Sequence, residues 1–88
     1  MADTFELKIV SPEKLEYQGQ VTMVSVPAVT GLMTVLPNHA PIIALLETKT
    51  MSYVEKSQKN ELVLSNGFME FSDNKMIILT DEGLKLNA

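Results

Sequence analysis

Apolar and polar residues alternate with a period of two along most of this 88-residue chain. Successive side chains of a strand point to opposite faces, so this alternation marks strands with one buried face and argues against helices. Phe5, Leu7 and Ile9 alternate with Glu6 and Lys8 and predict a half-buried strand ending at Ser11-Pro12. Residues 13–17 read as a second strand with Leu15 and Tyr17 inward, broken by Gln18-Gly19-Gln20. Residues 21–26 are apolar on both faces, Val21 and Met23 against Val24 and Val26, as in a strand covered on both sides. A loop is expected over residues 27–31, a short strand over 33–36 and a buried strand over 42–46. Residues 49–56 alternate again, with Met51 and Tyr53 on one face. Ser57-Gln58-Lys59-Asn60 reads as a polar hairpin turn before a strand at 62–64, and Asn66-Gly67 as a tight turn. Residues 68–72 and 76–80 form a last hairpin around Asp73-Asn74-Lys75.

No segment carries a helical stripe with caps. Residues 41–49 are apolar at adjacent positions instead of along one 3.6-residue face, and the only helical option is a turn at Asp81-Glu82. Strands at intervals of about 8–12 residues, with turn chemistry between them, indicate an all-β sandwich or small barrel. The length allows a single domain over residues 1–88. A domain this small buries only about 60–65% of its unfolded surface, so its core is thin. There is no cysteine, which removes a disulfide framework and any thiolate metal site. Stability must come from packing or from a partner.

The net charge is −4 and all seven basic residues are lysine. An acidic chain without arginine is a poor nucleic-acid binder, because phosphate backbones need a positive surface and base edges are read best by the guanidinium fork. No apolar run approaches the roughly 18–20 residues that span a bilayer, and residues 1–5 lack the basic and apolar regions of a signal segment.

The search for chemistry is negative. The single histidine, His39, lies between two prolines in Leu36-Pro37-Asn38-His39-Ala40-Pro41, with no serine elbow to serve. Asp81-Glu82 are adjacent, so as strand-end residues they point apart and read as a solvated turn. One histidine and scattered carboxylates have no zinc spacing, and Asp73-Asn74 lacks the rest of a calcium loop. No glycine opens a phosphate loop. No catalytic, metal or cofactor site is expected. His39 is either a turn residue bonded to local backbone or a rigid contact that loses little entropy on binding, and the two are compatible. Alternation from Val35 puts Met33 inward and Leu32 outward; with Val29 and the proline turn, Leu32 would form an exposed apolar patch.

Several motifs in order carry a family resemblance over essentially the whole chain. They are Leu7-Lys8-Ile9-Val10-Ser11-Pro12-Glu13, Gly19, Val21, the 36–41 segment, Leu64-Ser65-Asn66-Gly67-Phe68-Met69-Glu70 and Ile78-Leu79-Thr80-Asp81. The chain resembles the N-terminal domain of the ε subunit of F-type ATP synthase. The resemblance implies a flattened sandwich of about ten short strands in two sheets. It implies a non-catalytic rotor-stalk role, binding the γ subunit and the c-ring, with no cofactor and no nucleic acid. The membrane would be reached only through the complex, on the cytoplasmic face of a bacterial inner membrane or its organelle equivalent. It carries partner-contact roles onto Gly31, Leu32, Asn38, His39 and Pro41. Two departures stand out. Gly31-Leu32-Met33-Thr34 replaces a Gly-Glu-x-Gly pattern, so an acidic contact gives way to leucine and a flexible glycine to threonine. Seven residues follow Asp81, too few for the helical hairpin that inhibits hydrolysis in the family. The competing readings are a small β-barrel holding an apolar ligand among its six methionines, and a minimal hydrolase centred on His39.

Overall fold

The computed structural model describes residues 3–81 and 85–86. Its strands are β1 (Phe5–Val10), β2 (Leu15–Val21), β3 (Met23–Ala28), β4 (Gly31–Val35), β5 (Ile42–Leu46), β6 (Lys49–Glu55), β7 (Gln58–Leu64), β8 (Gly67–Ser72), β9 (Lys75–Thr80) and β10 (Lys85–Leu86). They form one hydrogen-bonded path, β10-β7-β6-β3-β5-β8-β9-β1-β2, with β4 added to β3. The two layers are therefore two regions of a single curled sheet. β1 and β9 pair in parallel, while the other pairs are antiparallel. The layers join where β3 meets β5 at Ala28 and Leu46. There the Val29 N–H donates to the Leu45 carbonyl at 2.9 Å and the Glu47 N–H to the Pro27 carbonyl at 2.8 Å. At the other end β2 curls against β6. The Tyr17 hydroxyl donates to Glu55 Oε1 at 2.9 Å, and its ring lies 4.6 Å from that of Tyr53.

Cross-strand rows build the core. Ala44, Met69, Ile78, Ile9 and Tyr17 are successive register partners from β5 to β2 and face inward, as do Ile42, Phe71, Met76, Leu7 and Gly19. Phe5 packs edge-on to Phe71 with centroids 5.3 Å apart. Val24, Val26, Val35, Met51 and Leu64 supply the facing layer. Each fully buried side chain of this size contributes roughly 1.5–3 kcal/mol. Gly19 does not break β2, as its place in the sequence implies. It pairs with Leu7, and a Cβ there would collide with the Tyr17 hydroxyl that folds over it. The break falls at Thr22 instead.

Leu15 is 49% exposed and does not point inward. The register shifts from Ile9–Tyr17 to Val10–Leu15, so Glu16 is an extra, bulged residue. A bulge reverses the facing of everything beyond it. The Ser11 Oγ lies 2.7 Å from Glu16 Oε2, and the Ser11 N–H donates to the Lys14 carbonyl at 2.9 Å, which closes the turn. Residues 42–46 are not a buried strand. Ile43 and Leu45 are 63% and 60% exposed, because the outer face of β5 is uncovered. Pro27 and Ala28 belong to β3, leaving only Val29 and Thr30 between the strands; the positive φ of this hairpin falls on Gly31, at 130°.

The β6–β7 turn lies at Lys56 and Ser57, with φ of 52° and 68°, one residue before the expected polar run. Asp73 and Asn74, at 50° and 60°, turn β8 into β9. Two successive positive φ values match the twist of tight hairpins. Asn66-Gly67 is no hairpin turn. β7 and β8 do not pair; Gly67 opens β8 opposite Thr80. Asp81 bends after β9, its N–H donating to the Asn66 carbonyl at 2.9 Å; Glu82, the other half of the expected helical turn, lies outside the described residues.

A Cβ at Gly67 would collide with the Leu79 carbonyl oxygen, which is backbone and has nowhere to swing. Gly67→Ala should cost about 1–3 kcal/mol by forcing β8 and β9 apart, seen as a lower urea midpoint. A second expectation concerns pH. Burial and then the Glu55 carboxylate raise the Tyr17 hydroxyl far above the usual phenol range, and Tyr53 is raised by the same causes. The unfolded chain releases these protons near pH 10 while the folded chain keeps them. Stability should be level in this respect below about pH 10 and fall as pH rises beyond it. Tyr17→Phe should make that alkaline fall shallower in urea titrations; an unchanged slope counts against the assignment.

Candidate protein interface

Leu36-Pro37-Asn38-His39 forms a tight turn closed by the His39 N–H on the Leu36 carbonyl at 3.3 Å. Pro37 has its φ fixed by its ring, and Asn38 takes φ of 66°, the combination of a type II turn. Pro41 holds Ala40 extended at the exit. The His39 Nδ1–H donates to the Ala40 carbonyl at 2.7 Å, and the ring stands edge-on to Phe71 with centroids 6.0 Å apart. This histidine is bonded to local backbone and exposed at the same time. Its ring has no hydroxyl or carboxylate partner among the described residues.

The turn is tied to the opposite end of the chain. Asn74 Oδ1 accepts the Asn38 N–H at 2.7 Å, and Asn74 Nδ2–H donates to the Thr4 carbonyl at 2.8 Å. Gly31 and Leu32 lie elsewhere. They open β4, whereas the turn follows its end, so roughly 17 Å of strand separates Leu32 from Pro37. The five residues singled out in sequence therefore form two sites, not one. Leu32 is 76% exposed, and Met33 packs against the core. A shallow cleft of about 460 Å³ lies beside Leu32, lined also by Pro27, Ala28, Glu47 and Lys49. Of the residues expected to form a loop here, Pro27, Ala28 and Gly31 are strand, and Thr34 is stiffened by pairing with Ser25, their hydroxyls 3.0 Å apart.

A second apolar surface escaped the sequence reading. Leu45, Phe68, Leu79, Val10 and Leu15 are successive register partners across β5, β8, β9, β1 and β2. All are on the outer face and none is fully buried. Val29 extends the row beyond Leu45, and Ile43 and Ile77 flank it in the next row, on either side of Glu70. A cleft of about 610 Å³ at one end is lined by Val29, Leu45, Phe68 and Leu79, with Glu47 and Asp81 at its rim. An apolar stripe spanning five strands is more than scattered surface leucines, and monomers rarely leave one uncovered. Its signal in sequence is the doubled apolar content of residues 42–46 and 76–79, which serves an outer face as well as an inner one.

Met51, Met69 and Met76 are fully buried in the core. Among the described residues no group of three potential metal ligands comes together, and no helix is long and apolar enough to cross a membrane.

Residues 4–85 match the family described as ATP synthase, Delta/Epsilon chain, beta-sandwich domain. The ATP synthase epsilon chain of Desulfitobacterium hafniense is 40% identical over 81 residues, covering 92% of this chain and 61% of its own length. That of Leptospira interrogans is 37% identical over 82 residues, covering 93% and 65%. The chain thus spans less than two thirds of these curated relatives. A chain of the Euglena gracilis mitochondrial ATP synthase, in a structure of OSCP, F1 and the c-ring, superposes with a TM-score of 0.87 at 21% identity, covering 94% of this chain and 53% of that one. One from the central stalk and c-ring of the Tetrahymena thermophila enzyme superposes at 0.77 and 12% identity, covering 96% and 67%. At these identities the structures share the fold. With the family match covering nearly the whole chain, this protein belongs to the ATP synthase delta/epsilon β-sandwich family.

Proposed function

We propose that this chain is the β-sandwich part of a central-stalk ε subunit that docks on the γ subunit and rests on the c-ring, turning with both. It carries no catalytic group of its own. The observation that carries this reading is the uncovered row Val29, Leu45, Phe68, Leu79, Val10 and Leu15 on a chain of this family. Burying such a row offers a rigid partner several large apolar side chains with no ordering of the sheet, which is where interface affinity concentrates. We assign that face to γ. Its rim carries both signs, with Glu47 paired to Lys49 at 3.5 Å, Glu70 and Asp81 beside the row and Lys8 next to Ile77, and so suits a partner with both charges beside its apolar residues. The turn with Asn38, His39 and Pro41, and separately Gly31 with Leu32, are assigned to rotor contacts, those of Leu32 being apolar. The membrane is reached through the c-ring, on the side where the catalytic head sits.

The test is capture of purified γ and c-ring by the 88-residue polypeptide. Leu45→Glu with Leu79→Glu should weaken capture of γ roughly tenfold or more while changing stability by only about 0.5 kcal/mol, since both side chains are exposed. Leu32→Glu and His39→Ala should weaken capture of the c-ring. Unchanged γ capture refutes the face, and unchanged c-ring capture in both single variants refutes those contacts. Added to an ε-depleted enzyme, the polypeptide should restore coupling, and no gain in coupling would contradict the reading.

A further inference from the structure

We infer that Asn74 is a positioning residue for the 36–41 turn, setting its pose for the partner from the β8–β9 hairpin on the far side of the sequence. The inference rests on the rotor-contact reading of the turn. In a turn closed by its fourth N–H, the third N–H is left without a partner, and a backbone donor without one is costly to enclose at a contact. Here that third donor is the Asn38 N–H, and Asn74 Oδ1 takes it at 2.7 Å. The same side chain donates to the Thr4 carbonyl at 2.8 Å, and the Asn74 carbonyl accepts the Glu6 N–H at 3.3 Å. One residue thus joins three segments: the turn, the hairpin and the start of β1.

The geometry that allows this is local. Asn74 has φ of 60° at the second position of a two-residue hairpin, and asparagine tolerates that conformation. β5 runs back from the turn along β8, with Ile42 opposite Phe71, so the hairpin tip lies beside the turn. The proline turn is stiff within itself, yet internal stiffness does not fix how it leans on the sheet. Beside Asn74, the edge contact of the exposed His39 ring with the buried Phe71 also holds it sideways. Fixing the lean beforehand removes an ordering cost on binding.

Asn74→Gly separates this role from folding. Glycine accepts a positive φ more readily than asparagine, so the hairpin is not weakened, while both side-chain bonds are lost. In the full chain, the Asn38 amide should exchange with deuterated solvent several-fold to tenfold faster, in keeping with the loss of one hydrogen bond. Amides of the inner rows, such as Met69 and Ile78, should keep their rates. Asn74→Asp keeps the acceptor and should restore much of the Asn38 protection. Capture by the c-ring should weaken in Asn74→Gly by a similar factor and recover in Asn74→Asp. Unchanged Asn38 exchange in Asn74→Gly would overturn the inference, whatever binds. Faster exchange with undiminished capture would overturn the positioning role. If the unaltered chain fails to bind the c-ring while the exchange result holds, it is the rotor-contact reading that fails, and Asn74 remains the residue that sets the turn.

Discussion

The register of the ladder from β5 to β2 decides which side chains this small protein buries. Because strand side chains alternate, sliding one strand by a single residue would exchange the inner row of Met69, Ile78 and Ile9 for the outer row of Phe68, Leu79 and Val10. Both rows are apolar, so hydrophobicity by itself discriminates poorly between the two registers. Size and closure do the work. Phe71 has to meet Phe5 on the inner face of the same layer, and Tyr17 has to reach Glu55 where the sheet curls onto itself. At Gly67 a side chain would run into the Leu79 carbonyl, which is backbone and cannot move aside, whereas at Gly19 it would meet the tip of the Tyr17 side chain.

The same ladder leaves a price on its outer side, an apolar row open to water on a chain with little core to spare. A monomer gains nothing from that exposure. In the function we propose, the row is the surface through which packing with a neighbour supplements a thin interior. The proline turn is built differently. It is polar, stiff and tethered by Asn74, and so suits a contact that must hold its shape under load.

Much of this was legible in the residues. The half-buried β1, the inward Met51 and Tyr53, the outward Leu32 and the rigid turn around His39 follow from alternation and from proline geometry. The misplacements have specific causes. The β6–β7 turn uses Lys56 and Ser57, which carry positive φ without being glycine or asparagine, so composition points to a polar run that shares only Ser57 with it. Leu15 faces outward because Glu16 is bulged, and a bulge leaves no mark on hydrophobic spacing. Asn66-Gly67 looks like a hairpin yet crosses between layers, since a dipeptide cannot reveal whether its flanking strands pair.

By itself the sequence determined that the chain is made of short strands, that its core is small and that His39 sits in a stiff turn, because these depend on neighbours a few residues apart. Only the tertiary structure decided which face of β5 is covered, that Leu45, Phe68, Leu79, Val10 and Leu15 form one row, and that Asn74 holds the turn from 36 residues away. Those facts arise from pairing between strands distant in sequence, and alternation is the same whichever partner a strand finds.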